Sequence, residues 1–283
     1  MKTRSVILRK LANLLLTLLA LVSISIALGG MGWILYTVIC NGGAVINLEF
    51  LTSPSKPYGE PGAGVANALI GTLLMTMGAT VLAVPPAMAG GIYLSEYGKD
   101  SRFADMLRFC ADVMMGVPSI LVGLFVYALI VIPTGNFSGM AGTIALAIIM
   151  FPVIMRTTED MLLMVPNTLR ESALALGMSR MRTTLHIVMR SARNGLATGT
   201  LLALARVSGE TAPLLFTALF ADTWPDSFFS KPTASAPVLI TEYTTNSPFE
   251  SMHSMGWGAA LIITGFILIV NIVTRFIFHE NKH

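Results

Sequence analysis

Two full charges interrupt a long apolar stretch toward the end of the chain. Residues 194–221 carry no Asp, Glu, Lys or Arg except Arg206 and Glu210. A spacing of four puts both side chains on one face of a helix. An arginine at the middle of a bilayer costs about 2.5–3.5 kcal/mol even on the lenient insertion scale, so it turns to a bundle interior or an aqueous path. A guanidinium offers forked donors that fit an oxyanion. A fixed, unpaired positive charge would trap such an anion, and Glu210 tempers it or accepts a hydrogen bond from a protonated one. The competing reading is an ion pair that only orients one helix against its neighbour. The same face runs through Gly195, Gly199, Ala203, Pro213 and Thr217, mostly small residues that let another helix approach closely.

A second pattern is a hydroxyl stripe, Thr72, Thr76 and Thr80. Threonines in membrane helices bond their own backbone carbonyls, so packing is the favoured reading and path lining the alternative. Other chemistry is missing. The sequence has no GxxxxGK[ST] phosphate loop, no HExxH and no GxSxG. Gly62-Ala63-Gly64 reads as loop punctuation, and His186, His253, His279 and His283 have no metal spacing. No nucleophile and base can be paired within the apolar segments, so no enzymatic role and no bound cofactor or metal is expected. Cys40 and Cys110 form no CxxC and are expected near opposite membrane faces, unpaired. No basic tract is interleaved with aromatics, which argues against nucleic acid.

The elements that must position these residues are membrane spans. Of 283 residues, 54% are hydrophobic and only 12% charged, against about a quarter charged in soluble domains. Residues 11–48, 61–95, 113–155 and 251–274 carry no Asp, Glu, Lys or Arg, and a spanning helix needs about 20 apolar residues. A soluble enzyme and a disordered chain are excluded. The reading is an all-α polytopic membrane protein with six transmembrane helices, at roughly Leu11–Ile39, Asn67–Gly91, Asp112–Ile132, Ser138–Met155, Gly195–Ala221 and Met255–Phe278. Pro133, Gly135, Asn136 and Gly139 divide the third span from the fourth. Pro85-Pro86 should bend or finish the second. The first apolar run is too long for the core of a cleaved signal.

Lysine and arginine set the orientation. The N-terminus carries four, the loop after span two three, the loop after span four six and the C-terminus two, which places fifteen on one side. Only Lys56 and Lys231 lie on the other. Positive charge marks the cytoplasmic face, so both termini are expected there. The outer loops, 40–66 and 222–254, are rich in Pro, Gly, Ser and Thr.

The cytoplasmic loop 156–193 is long, and Leu169, Ala173 and Leu176 recur at helical spacing between Pro166-Asn167 and Gly177. Such a segment either lies at the lipid interface or docks a cytoplasmic partner. Glu171-Ser172-Ala173-Leu174-Ala175-Leu176-Gly177, followed by Ile187, resembles the EAA loop of ATP-binding-cassette (ABC) importer permeases. It departs from that pattern at Ser172, at Met189 in place of Leu and at Arg190 in place of Pro. Gly91-Ile92-Tyr93-Leu94-Ser95-Glu96-Tyr97-Gly98, Pro118 to Phe125, and Arg156-Thr157-Thr158-Glu159 resemble the phosphate-specific permeases of that class. The run from Ala205 through Gly209-Glu210-Thr211-Ala212-Pro213 to Leu219 is similar to their A type.

The resemblance implies a type-1 (MetI-like) permease fold. Residues 1–66 would form the N-terminus, first helix and outer loop, and residues 67–279 the permease core with a coupling segment at 159–190. It implies import of inorganic phosphate, with Arg206, Glu210 and Thr211 on the path and Glu171, Ser172, Ala173 and Gly177 coupling to the ATPase. The implied partners are a C-type permease subunit, two ATPase subunits that use ATP and Mg, an extracytoplasmic phosphate-binding protein and the lipid bilayer. A permease for phosphonate, sulfate or molybdate is the alternative. A secondary transporter is less favoured, since no inverted repeat or ion-binding broken helix is read in the sequence.

Overall fold

The structure is a computed structural model and describes residues 2–57, 60, 62–98 and 101–277. Lys99, Lys282, His279, His283 and the expected end of the sixth span at Phe278 lie outside the described residues. The described residues are all-α. The helices are α1 (Lys2–Gly43), α2 (Leu48–Thr52), α3 (Ala66–Ile92), α4 (Arg102–Gly116), α5 (Ser119–Val126), α6 (Ile132–Thr134), α7 (Gly139–Leu163), α8 (Asn167–Ala175), α9 (Arg180–Arg182), α10 (Met189–Val207), α11 (Ala212–Leu215), α12 (Ala236–Thr241) and α13 (Glu250–Ile277). Wider, π-type turns extend α3 over Tyr93–Tyr97, join α5 to α6 over Tyr127–Val131, join α9 to α10 over Thr183–Val188 and extend α12 over Glu242–Asn246.

The central pair is α3 and α7. Met75, Ala79, Ala83 and Ala87 recur every four residues along one face of α3 and are buried against Leu146, Met150, Ile154 and Met155 of α7. Small residues allow the close approach. A Cβ on Gly91 would stand 2.6 Å from the Met155 carbonyl oxygen. Around this pair sit α4, α5, α10 and α11, and Ala203, Leu204, Val207 and Leu214 complete the core. The long α1 has no buried residue in its apolar window. It meets α13 near Gly42, beside Trp257 and Leu261.

Four helices are long and apolar enough to cross a membrane, and five if the bent pair α4 and α5 counts as one span. Six such helices are not found among the described residues. Three expected boundaries are corrected. The third span does not begin as one helix at Asp112: α4 starts at Arg102 and meets the following helix at 101°. Pro118 has no N–H and pushes Val117 to extended backbone, with φ −71° and ψ 129°, so the helix must end there. The fourth span continues past Met155 to Leu163, because Arg156 and Glu159 are paired. The fifth is not a continuous helix over Gly195–Ala221: α10 starts upstream at Met189 and stops at Val207. It carries Arg190, Arg193 and Arg206, which keeps it from qualifying as a span by composition. Pro85 and Pro86 lie inside α3 and do not end it, as membrane helices tolerate when neighbours re-satisfy the freed backbone.

Candidate functional site

The break after α10 builds the first site. Ser208 closes the helix twice, its amide at 3.0 Å and its hydroxyl at 2.8 Å donating to the Leu204 carbonyl. Gly209 and Glu210 donate to Arg206 and Val207 carbonyls at 3.2 and 3.1 Å. The chain restarts as the one-turn α11, with Pro213 in its first turn, where the missing N–H costs nothing. The Thr211 carbonyl accepts from Leu214 and Leu215 at 3.1 and 3.2 Å, and Thr211 is half-buried. A broken helix is therefore present where the sequence read as continuous.

Arg206 and Glu210 remain neighbours across the break. Their Nε–Oε1 distance is 4.0 Å, with the arginine side chain 60% exposed and the glutamate 18%. That is a loose pair whose guanidinium keeps donors free. Both face a cleft of about 430 Å³ walled by the α4–α5 junction, including Met114, Pro118 and Ser119, and by Ile149 and Val153 of α7. Apart from Ser119 its other lining side chains are apolar, so the two charges supply most of its polarity. Close contacts place the break: a Cβ on Gly123 of α5 would sit 2.6 Å from Pro213 Cα. On α10, Gly195 abuts Met161 and Gly199 abuts Thr157 of α7, while Ala203 is buried.

The threonine stripe lies elsewhere. Thr72, Thr76 and Thr80 each donate to the carbonyl four residues back, at 2.8, 2.7 and 2.7 Å. Thr72 also accepts from the Ala236 amide at 2.9 Å. Thr72 and Thr76 border a second cavity of about 260 Å³ with Ser208, Ile262 and Phe266. None of the three lines the Arg206 cleft.

The second site is α8. Glu171 and Ser172 are exposed, Ala173 is buried and Gly177 is exposed, so Ala173 packs inward while its neighbours present an outer face with Leu169 and Leu176. The helix ends in a Schellman cap: Gly177 donates to Leu174 at 2.9 Å and Met178 to Ala173 at 3.1 Å. Gly177 takes φ +84°, the left-handed value that favours glycine.

Sequence reasoning missed two ion clusters that brace this end. Arg170 of α8 reaches Glu96, at the end of α3, at 2.7 Å, with the two side chains 12% and 9% exposed. The same guanidinium donates to the Leu162 carbonyl at 2.7 Å, and to Val165 and Asn167. Glu159 of α7 is nearly sealed, 3% exposed, and holds Arg108 and Arg156 at 2.7 Å each. Arg156 extends to Asp112 at 3.2 Å. The signal for both was present: Glu96 lies in the run Gly91 to Gly98 and Glu159 in Arg156-Thr157-Thr158-Glu159, each at the end of an apolar stretch. Away from the spans, burial pushes the Asp222 carboxyl above its ordinary value, reinforced by Glu60 and Glu242 and opposed by the Ser55 hydroxyl. No cluster of His, Cys, Asp and Glu fit for a metal occurs among the described residues.

Residues 87–280 match the family described as binding-protein-dependent transport system inner membrane component, which defines the class: a membrane permease component of a solute transporter, not an enzyme. The chain is 43% identical to the phosphate transport system permease protein PstA of Haemophilus influenzae over 97% of this chain and 96% of that one. It is 40% identical to PstA of Yersinia pestis over 97% and 92%. It is 35% identical to the probable phosphate transport system permease protein PstA of Methanocaldococcus jannaschii over 86% and 85%. A chain of the MetNI methionine ABC transporter in an inward-facing conformation shares the fold, with TM-score 0.64 at 14% identity over 76% of this chain and 94% of that one. The chain belongs to the family of PstA phosphate transport system permease proteins.

Proposed function

We propose that this chain is the A-type permease subunit of an ATP-driven importer of inorganic phosphate. The observation that carries this reading is the Arg206–Glu210 pair at the helix break, loose at 4.0 Å and facing a cleft, in a chain whose relatives are named for phosphate transport. The cleft is open on the chain's surface, which suits a path formed against a second, C-type permease. Arg206 supplies donors to the oxyanion, Glu210 keeps it from being held too tightly, and Thr211 follows them at the entry to α11. Six crossings with cytoplasmic termini follow if α1, α3, the bent segment from α4 to α6, α7, α10 and α13 all traverse the bilayer, supported by the one-sided lysine and arginine distribution.

The exposed face of α8, with Glu171 and Ser172, then docks an ATPase subunit, two of which serve the permease pair. Ala173 and Gly177 hold that face in place within the coupling segment 159–190 of the core, 67–279. ATP and Mg are consumed by the ATPase. An extracytoplasmic binding protein delivers phosphate to the outer loops, and alternating access moves it inward. The test is ATP-dependent uptake of radiolabelled phosphate in vesicles holding the full complex, wild type beside Arg206→Gln. Uptake in wild type and a loss of at least tenfold in the assembled variant is expected. Equal uptake in both reduces Arg206 to a packing residue, and no uptake by an assembled wild type turns the reading to another oxyanion.

A further inference from the structure

An open groove of about 430 Å³ runs along α10 where it meets α3. Met88 of α3 and Met189, Leu196, Ala197 and Leu201 of α10 line it, and Arg193 is the one charged residue in its wall. Thr200, also in the wall, spends its hydroxyl on the Leu196 carbonyl at 2.9 Å. Arg193 is exposed, and its guanidinium makes no hydrogen bond or ion pair among the described residues. The groove is thus apolar with a single uncommitted cation.

It shares no residue with the Arg206 cleft and lies on another side of α10. Arg193, Ala197 and Leu201 recur every four residues, about 140–180° around the helix from Arg206 at 3.6 residues per turn. Gly195 and Gly199 turn the other way, onto Met161 and Thr157 of α7. A second permease seated over the Arg206 cleft therefore approaches α10 from the side opposite this groove.

Depth and charge say what fits there. Arg193 precedes Arg206 by thirteen residues, about 20 Å along a helix axis. The hydrocarbon ends about 15 Å from the bilayer centre and the headgroups about 22 Å from it. With Arg206 at mid-bilayer, Arg193 stands among headgroups, while Leu196, Ala197 and Leu201 lie beside acyl chains. Residues 172–209 hold Arg180, Arg182, Arg190, Arg193 and Arg206 and no Asp or Glu, and Arg180, Arg182 and Arg190 are also exposed. Such basic clusters beside a membrane helix attract anionic headgroups, and a guanidinium pairs with phosphate oxygens through two parallel bonds. A zwitterionic headgroup offers the same phosphate, but its ammonium is repelled by the surrounding arginines.

We infer that the groove between α3 and α10 binds one anionic phospholipid of the cytoplasmic leaflet, its phosphate on Arg193 and an acyl chain against Met88, Leu196 and Leu201. This rests on the reading that α10 crosses the bilayer with Met189 toward the cytoplasm, and not on which solute is carried. The lipid fastens the first half of α10 to α3 from the membrane side, on the helix that carries Arg206.

The test is native mass spectrometry of the complete transporter, titrated in micelles with phosphatidylglycerol or with phosphatidylcholine of the same chains. The other subunits are identical throughout, so differences between wild type and variant count lipid at this groove. Wild type should retain one phosphatidylglycerol for which Arg193→Gln needs about tenfold more lipid, the scale of one lost hydrogen bond to a charged group. Ala197→Phe keeps the charge, fills the acyl groove and should lose the same lipid, while Arg193→Lys should fall between wild type and Arg193→Gln. Unchanged retention in either Arg193→Gln or Ala197→Phe overturns the site, as does equal retention of phosphatidylcholine by wild type. An equal loss in Arg182→Gln, outside the groove, overturns it too, by reducing the effect to diffuse charge. Loss of the C-type permease from the Ala197→Phe complex would instead assign the groove to a protein interface. Displacement of the lipid by inorganic phosphate at constant ionic strength would assign it to a soluble oxyanion. Phosphate uptake by the same wild-type complex in vesicles reports separately on the transport reading.

Discussion

Gly177 shows how a single residue sets the end of α8 and its exposed face. Its φ of +84° closes the Schellman cap, and a Cβ there would meet nothing within 4 Å. The penalty for a side chain is therefore conformational alone, about 1 kcal/mol for an L-residue in the left-handed region. Gly177→Ala should leave the global fold intact and loosen the end of α8. Hydrogen exchange of the Leu174 to Met178 amides should quicken by about fivefold, with little change in α3 or α7. Unaltered exchange there would mean that α8 is held by its packing on the Thr183–Val188 turn rather than by its cap. The glycine itself was legible as a helix stop in the sequence. The inward turn of Ala173 was not, because a nine-residue helix shows which positions alternate but not which face its neighbour covers.

At the scale of elements, the break between α10 and α11 depends on contacts from other helices. Gly123 of α5 gives Pro213 its place, with 2.6 Å from a notional Cβ to the proline Cα. Gly123→Val must push α11 away from α5, carrying Glu210 and Thr211 with it. Overpacking of this kind costs about 1–3 kcal/mol, too little to prevent assembly but enough to displace a pair already at 4.0 Å. Uptake should fall at least tenfold in Gly123→Val while the complex still purifies. Gly116→Ala, where no atom lies within 4 Å of the added carbon, is the control and should transport normally. Equal uptake by both variants would detach the break from transport.

The same element explains what the sequence concealed. The buried α3 face of Met75, Ala79, Ala83, Ala87 and Gly91 recurs every four residues, a regular period along the chain. The break at Ser208 to Thr211 has no such signature. A glycine costs only about 1 kcal/mol inside a helix, and a proline at position 213 reads alike in the first turn of a new helix or the bend of an old one. The bend at Pro118 was similarly hidden by the apolar run around it, since composition reports affinity for lipid and not direction.

For the whole molecule, the proposed function requires that motion at the exposed face of α8 reach the Arg206 cleft. Arg170 and Glu96 join α8 to the end of α3, and α3 packs along α7, whose Ile149 and Val153 wall the cleft. Glu159 with Arg108 and Arg156 ties α4 to the same helix. The chain thus has a continuous mechanical connection in which buried ion pairs form the joints. Such pairs contribute more when broken than when formed, because removing one partner strands the other, at about 3–5 kcal/mol. The two halves of the Arg170–Glu96 joint are not equivalent, however. Glu96→Gln keeps an acceptor for the guanidinium, which retains the Leu162 and Val165 carbonyls and Asn167. Arg170→Leu removes every one of those bonds and leaves Glu96 charged and 9% exposed. Phosphate moved per ATP hydrolysed should therefore fall modestly, about twofold, in Glu96→Gln and at least tenfold in Arg170→Leu, with hydrolysis persisting in both. Equal ratios in the two variants would show that α8 transmits its motion through the Thr183–Val188 turn into α10, bypassing α3.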